Sequence, residues 1–225
     1  MFLSSGEWQA LLLSLQLSAT TTVLLLMLGT PLALWLAKSE SVFKTLCESI
    51  VALPLVLPPT VLGFYLLIAL SPDSLLGQWW QASTGQNLAF SFSALVIGSC
   101  IYSLPFVVQP LQQAFSAVPK TLKDASATLG ASPWDQFWSL TVPLCRRAFV
   151  LAGALGFAHT LGEFGVVLMI GGSIPGETRV LSIALYEYVE VLDYTSAHRL
   201  SFILLSASLV LLFFLYRNRG WRLGK

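Results

Sequence analysis

Charged residues are scarce in this chain. Only 10% of its 225 residues are charged and 56% are hydrophobic, whereas an ordinary globular protein carries roughly 25% charged residues. This balance predicts an integral membrane protein. Twelve Lys and Arg residues against eleven Asp and Glu residues give a formal net charge of +1. Because no positive surplus is available to neutralise a phosphate backbone, nucleic acid is not an expected partner.

The sequence also lacks the residue spacings of a metal site, a disulfide framework or a nucleotide-hydrolysing enzyme. Cys47, Cys100 and Cys145 lie far apart and form no C-x-x-C or Cys/His pattern, so we interpret them as small apolar side chains. No G-x-x-x-x-G-K-[ST] motif, Ser/His/Asp pattern or zinc-protease pattern occurs. We therefore expect no catalysis by this chain, and neither a metal nor a cofactor.

Long uncharged stretches are abundant, and a helix needs about 20 apolar residues to cross a bilayer. We predict an all-α membrane protein with five spans. A sixth span over Val180 to Leu192 is disfavoured, because this stretch is short and carries Glu187 and Glu190. No signal-peptide pattern precedes the first span, which we expect to remain in the mature chain. The predicted spans of the single domain 1–225 are 10–36, 49–71, 88–115, 148–170 and 197–216.

The basic residues predict the orientation of these spans. Ten of them lie after span one, between spans three and four, or in the C-terminal tail, whereas Arg179 and Arg199 lie on the opposite side. Short cytoplasmic loops retain Lys and Arg, so the N-terminus is predicted outside and the C-terminus inside. The ten are Lys38, Lys44, Lys120, Lys123, Arg146, Arg147, Arg217, Arg219, Arg222 and Lys225.

The predicted cytoplasmic loop 116–147 is longer than two adjacent spans need, which indicates a function. The stretch from Asp124 to Leu129 predicts a short helix, and Gly130 suits a left-handed helix end. Pro133 can open a second helix, which we expect Pro143 to close. The loop is thus predicted to form two short helices joined at a glycine elbow. An amphipathic loop in the membrane interface is the alternative.

Residues of this loop resemble the E-A-A-x-x-x-G and I-x-L-P pattern of binding-protein-dependent ABC importer permeases. This resemblance implies a type I ABC importer permease architecture, whose coupling helix inserts into a groove of a cytoplasmic ABC ATPase subunit. ATP would be hydrolysed on that partner. Asp replaces Glu, Ser replaces the second Ala and Val replaces Leu, and these changes preserve charge sign and size. The residues assigned to coupling are Asp124, Ala125, Ser126, Gly130 and Pro143.

Three other segments resemble the molybdate permeases of this family. They are Leu53 to Gly63, Leu161 to Gly165, and Ile174 to Arg179. The resemblance implies a multi-pass permease of a bacterial or archaeal plasma membrane that imports molybdate, with tungstate, sulfate or thiosulfate as alternatives. It also implies a periplasmic or extracellular oxyanion-binding protein and a second copy of the chain in a homodimer embedded in lipid.

Three prolines interrupt span two. Pro54, Pro58 and Pro59 remove backbone donors and prevent a straight helix, so we expect this span to be broken and to pack against other helices. A structural kink and direct contact with the substrate both remain open for these prolines.

His159 and Glu163 are the ionisable residues of span four, and their spacing of four predicts one helix face. Such residues in a membrane suggest a functional role. Glu163 is expected to be structural, bonded to His159, to backbone or to Arg179, since a carboxylate repels an oxyanion. A proton relay in an ion-coupled carrier and a metal-dependent intramembrane enzyme are the alternatives. Gly156, Gly162 and Gly165 are expected to allow close helix contact.

The predicted outer loop from Gly171 to His198 contains a Pro175-Gly176 turn and an amphipathic stretch, Leu181 to Leu192. A solvated loop is the simplest interpretation. Its length also suits a platform for the binding protein that the resemblance implies, with Glu177 and Arg179 as docking candidates.

Overall fold

The computed structural model describes residues 3–217, so the predicted inside residues Arg219, Arg222 and Lys225 lie outside the described part. Within it the chain is helical and contains no β-strand. The α-helices are α1 (Ser5–Lys38), α2 (Val42–Ala52), α3 (Pro59–Leu70), α4 (Leu75–Thr84), α5 (Phe92–Ser116), α6 (Lys120–Thr128), α7 (Pro133–Gln136), α8 (Val142–Leu161), α9 (Gly165–Gly171), α10 (Leu181–Glu190) and α11 (Tyr194–Arg217).

Four helical segments are long and apolar enough to cross a membrane: α1, α5, α11 and the continuous stretch Pro133–Leu161. A fifth is formed by α2 and α3 together, which are bent by 110° around a 3₁₀ turn at Leu53–Leu55. The predicted all-α architecture is therefore confirmed, with four candidate spans, or five if the bent pair of α2 and α3 is one broken span. Helix α10 has ten residues, too few for the sixth span considered above.

Helix α1 begins with two reciprocal hydrogen bonds. Ser4 Oγ accepts from the Glu7 backbone N–H, and the Glu7 carboxylate accepts from the Ser4 N–H, which satisfies two donors at the helix start. The helix then packs against α5 and α8. A Cβ at Gly156 of α8 would lie 2.8 Å from Val107 of α5, so close contact here requires glycine, as predicted.

Three apolar clusters lie among the described residues, and two of them contain most of the buried side chains. One lies toward the predicted cytoplasmic end, where α1, α5 and α8 meet. The other joins α1, α5 and α9 toward the opposite end. Fully buried members of the first are Leu36, Val107, Leu111, Phe115 and Ala152, and those of the second are Leu17, Leu95, Val166, Ile170 and Ile183.

The structure corrects the predicted bounds of span four, 148–170. The helix starts at Pro133, continues through α8 and ends at Leu161, and α9 begins only at Gly165. The break falls on Gly162, whose backbone N–H bonds within the last turn of α8, and on the two residues after it. The connection between spans two and three also contains a helix, α4, that was not predicted.

Candidate functional site

The predicted glycine elbow is present between α6 and α7. Gly130 has a φ of +85°, a left-handed conformation that glycine adopts without steric cost. The N–H groups of Gly130 and Ala131 bond to the carbonyls of Ala127 and Ser126 at 2.9 and 3.0 Å, which ends α6. Ser132 then caps α7 through a reciprocal pair of bonds with Asp135. The elbow is thus fixed by local backbone chemistry.

The coupling candidates lie on the exposed side of this elbow. Asp124, Ala125 and Gly130 are exposed, and Ser126 is half-buried with its hydroxyl bonded to the Lys123 carbonyl at 2.7 Å. Two large apolar side chains are also exposed there: Leu129 is 89% exposed and Trp134 69%. The elbow therefore presents both small and apolar side chains to a partner.

Pro143 does not close the second loop helix, contrary to the sequence prediction. A π-helical turn over Phe137–Thr141 precedes it, and the Val142 N–H bonds to the Phe137 carbonyl five residues earlier. This wider turn accommodates a proline near the start of α8, where the usual hydrogen bond of the helix is missing. The second loop helix and span four consequently form one continuous element.

The predicted break in span two is present at its prolines. Pro54 is buried in the 3₁₀ turn, and Pro59 is the first residue of α3, a position where the missing N–H costs nothing. A Cβ at Gly165 would lie 2.7 Å from Pro59 Cβ. Pro59 and Gly165, taken from two of the segments that carry the resemblance, thus pack directly against each other, whereas Pro58 is exposed.

His159 belongs to a hydrogen-bonded group between α5 and α8. Its Nδ1 lies 2.9 Å from Ser103 Oγ, which in turn lies 3.0 Å from Thr160 Oγ1. The imidazole stacks on Phe106 with a centroid distance of 4.0 Å and lies 4.8 Å from the ring of Tyr102. Through these contacts with α5, the His159 side chain forms part of the packing interface between α5 and α8.

Glu163 is a buried carboxylate without a hydrogen-bond partner. Its residue is 5% exposed, and neither carboxylate oxygen has a bonding partner among the described residues. The hydroxyl of Ser99 on α5 interacts with it electrostatically, but the two groups do not reach hydrogen-bond geometry. The backbone of Glu163 is engaged instead: its carbonyl accepts from Ser182 Oγ at 2.5 Å, and its N–H donates to the Thr160 carbonyl at 3.3 Å.

The partners expected for the Glu163 carboxylate are therefore wrong. His159 bonds to Ser103. Because α8 ends at Leu161, Glu163 lies beyond the helix and the two ionisable residues do not share one helix face. Arg179 is also engaged elsewhere, since its guanidinium contacts Glu187 at 2.7 Å. The break between Leu161 and Gly165 separates Glu163 from the helix that carries His159.

The two docking candidates differ in accessibility. Glu177 is exposed, whereas Arg179 is half-buried and donates through Nε to Glu187, which also accepts a bond from Ser173. Thr178 between them is buried. Its hydroxyl donates to the Gly171 carbonyl and accepts from the Ile174 N–H. Arg179 thus stabilises the outer loop, and Glu177 remains the accessible candidate.

Two polar features lie outside the predicted site residues. Glu7 and Arg199 form an ion pair between α1 and α11. Gln109, Gln112 and Gln113 line a cavity beside α2. Their spacing, which places them on one helix face, was the sequence feature from which this polar surface could have been predicted. Among residues 3–217, no group of three or more His, Cys, Asp and Glu side chains is placed to hold a metal ion.

Two solved structures of ABC transporters share the fold of this chain. The chain matches the crystal structure of a bacterial ABC transporter involved in the import of the acidic polysaccharide alginate, with a TM-score of 0.79 at 16% identity, over 98% of this chain and 82% of the other. It matches the inward-facing MetNI methionine ABC transporter with a TM-score of 0.65 at 15% identity, over 96% and 97% of the two chains. These likenesses concern the fold.

Sequence relatives are more similar. The molybdenum transport system permease protein ModB of Azotobacter vinelandii is 49% identical over 99% of this chain and 98% of its own length. The protein of the same name from Escherichia coli K12 is 35% identical over 84% and 83%. Residues 29–219 match the family model described as binding-protein-dependent transport system inner membrane component. The chain therefore belongs to this family of inner-membrane permease components of binding-protein-dependent transporters.

Proposed function

We propose that this chain is the membrane-spanning permease subunit of an ATP-driven molybdate importer. The observation that carries this proposal is the 49% identity to a molybdenum permease over nearly the full length of both chains. A sulfate permease of Escherichia coli is also similar, at 32% identity over 76% of this chain and 61% of its own length. The higher identity and the fuller coverage favour molybdate over sulfate, and tungstate and thiosulfate remain the alternative oxyanions.

The elbow at Gly130 is the proposed contact with the ATPase. Leu129 and Trp134 expose apolar surface there, outside the predicted spans, and an exposed apolar patch indicates a protein interface. The sequence carries no phosphate-binding loop, so ATP is proposed to be hydrolysed on the partner. Closure of two ATPase subunits would move the elbow, and the continuous helix Pro133–Leu161 would carry that movement into the membrane.

The assembly is proposed to be a two-fold homodimer that receives an oxyanion-binding protein on its outer face. A single chain of five spans encloses a gated path poorly, and symmetric pairing is the common solution. Helix α3 leaves Val61, Phe64, Tyr65 and Ile68 uncovered within the chain, a surface that suits a second copy or lipid. Glu177 is the proposed contact with the binding protein.

An ion-coupled carrier has less support. A relay between His159 and Glu163 would need a hydrogen-bonded connection, but His159 bonds to Ser103 and the Glu163 carboxylate has no partner among the described residues. We therefore assign His159 a structural role at the interface of α5 and α8, and Glu163 a structural role at the break between α8 and α9.

Reconstitution tests the proposed function. The permease is copurified with the ATPase it retains and placed in proteoliposomes with the cognate binding protein. We expect molybdate uptake that requires ATP, and a much weaker response to sulfate. Uptake driven by a proton gradient without ATP would refute the importer, and ATP-dependent uptake of sulfate alone would refute the assigned substrate.

A further inference from the structure

A polar cavity lies between α2 and the last two turns of α5, at the end of the bundle that the basic residues place in the cytoplasm. Its volume is about 650 Å³. Gln109, Gln112, Gln113 and Ser116 form one wall, and Glu48 lies on the other. No described feature of the proposed coupling mechanism uses these side chains.

The polar wall is a regular stripe on α5. Positions 109, 112, 113 and 116 follow the i, i+3, i+4, i+7 spacing that places side chains on one helix face. Polar side chains on a membrane helix are costly in contact with lipid and typically line a water-filled path. The stripe therefore marks an aqueous surface at the inner end of α5.

An anionic oxygen already occupies part of this surface. Gln112 Nε2 donates to the Glu48 carboxylate at Oε1, an acceptor that strengthens the hydrogen bond when it is ionised. Lys44 Nζ lies 3.8 Å from the same oxygen, and Lys123 Nζ lies 3.5 Å from the Phe115 carbonyl, next to Ser116. The cavity wall thus supplies amide donors, which stabilise negative oxygens, and the two lysines lie beside lining residues without lining the cavity themselves.

We propose that this cavity is the cytoplasmic exit site of the translocated oxyanion, in which the side-chain amides of the stripe replace part of its hydration shell. The inference rests on the proposed importer function and assigns it a substrate contact. Glu48 competes for the Gln112 amide and repels the incoming anion, so binding is weak. A transport path needs such weak sites, because an ion that binds tightly does not leave.

Thiol protection measures this binding directly. The complex with its ATPase is prepared in inside-out vesicles, with Cys47, Cys100 and Cys145 replaced by Ser and with Gln113→Cys in the cavity. A membrane-impermeant maleimide is added at increasing molybdate concentration, with chloride at equal ionic strength as the reference. We expect molybdate to slow the modification in a saturable way. Ser41→Cys, exposed between α1 and α2, is the control whose rate should not change.

Two further substitutions should shift the half-protecting concentration in opposite directions. Gln112→Leu removes a donor and should raise it about tenfold, since a hydrogen bond to a charged group contributes about 1.5 kcal/mol or more. Glu48→Gln removes the competing negative charge and should lower it about tenfold. A merely structural role of these residues would not produce opposite shifts. Equal chain abundance and equal copurified ATPase confirm that both variants assemble.

Three results would overturn the exit site. Gln113→Cys could be unreactive in the complex, which would mean that a partner covers the cavity. Its modification could be unaffected by molybdate, or could be slowed equally by chloride. Wild-type uptake, measured in parallel, separates the two proposals: ATP-driven molybdate uptake without protection refutes only the exit site, whereas absent uptake refutes the importer itself.

Discussion

Glu7 and Arg199 join the two ends of the chain, 192 residues apart. Arg199 Nη2 lies 2.6 Å from Glu7 Oε1, while Glu7 Oε2 accepts the backbone N–H of Ser4 at 2.6 Å. The Glu7 residue is 1% exposed. One carboxylate therefore caps the start of α1 and also ties it to the start of α11.

We expect removal of one partner of this ion pair to lower the melting temperature more than removal of both charges. Arg199→Leu should lower the melting temperature of the purified permease by several degrees, because it leaves a buried carboxylate without its cation. The double variant Glu7→Gln with Arg199→Leu should be less destabilised, since no charge remains buried. Thermal unfolding in detergent, followed by tryptophan fluorescence, measures both. Equal melting temperatures for the two variants would show that the pair contributes little.

Removing the charge of Glu163 should not destabilise the protein, in contrast to removing the Arg199 cation. A buried carboxylate without partners is costly, so Glu163→Gln should leave the melting temperature unchanged or raise it. ATP-driven uptake should persist, because the Ser182 bond is made to the Glu163 backbone carbonyl and survives the change. Uptake assays and thermal unfolding on the same preparation provide the measurements. Complete loss of uptake in an assembled, stable variant would instead support the proton-coupled alternative.

The sequence was informative where a local rule decides the structure. Gly130 adopts a positive φ because a helix must end there, and the prolines of span two allow no straight helix. Each of these depends on a few neighbouring residues, so composition and spacing were sufficient. The membrane-spanning helices α1, α5 and α11 could likewise be predicted from the lengths of their apolar runs.

The sequence was less informative where an irregular helical turn, a helix break or a distant contact decides the structure. Pro143 appeared to end a helix, but the π-helical turn before it keeps the helix continuous. Helix α8 ends at Leu161, between His159 and Glu163, so the spacing of four, which assumes one continuous helix, did not predict their separation. The ion pair of Glu7 with Arg199 required the packing of α1 on α11, which no local pattern encodes.

The proposed orientation predicts which thiols are accessible from outside. Asp73, Glu190 and Lys123 are each replaced by Cys in a chain without native cysteines. Asp73 and Glu190 are exposed and Lys123 is half-buried, so reactivity toward an impermeant reagent is checked first in opened membranes. In intact cells, Asp73→Cys and Glu190→Cys should react and Lys123→Cys should not. Labelling of Lys123→Cys in sealed cells would reverse the orientation and remove the basis for the coupling site.

Gly130 provides the sharpest test of coupling, because the chain contains a glycine with a similar backbone conformation elsewhere. Gly130 has a φ of +85° and Gly85, at the end of α4, has a φ of +73°; an added Cβ at either position meets no atom within 4 Å. A side chain in this conformation costs on the order of 1 kcal/mol, and more when it is branched. Gly130→Val and Gly85→Val should therefore cost similar stability.

Their functional effects should differ. Gly130→Val distorts the elbow between α6 and α7, so we expect normal abundance of the inserted chain but loss of the copurified ATPase, or of substrate-stimulated ATP hydrolysis, together with loss of molybdate uptake. Gly85→Val lies on the predicted outer side and should keep the ATPase bound and hydrolysis stimulated. Immunoblots of membranes, copurification and ATPase assays measure these outcomes. If both variants transport like wild type with the ATPase bound, the elbow is not a coupling element; if both lose the ATPase, the effect of Gly130→Val reflects lost stability instead of a lost contact.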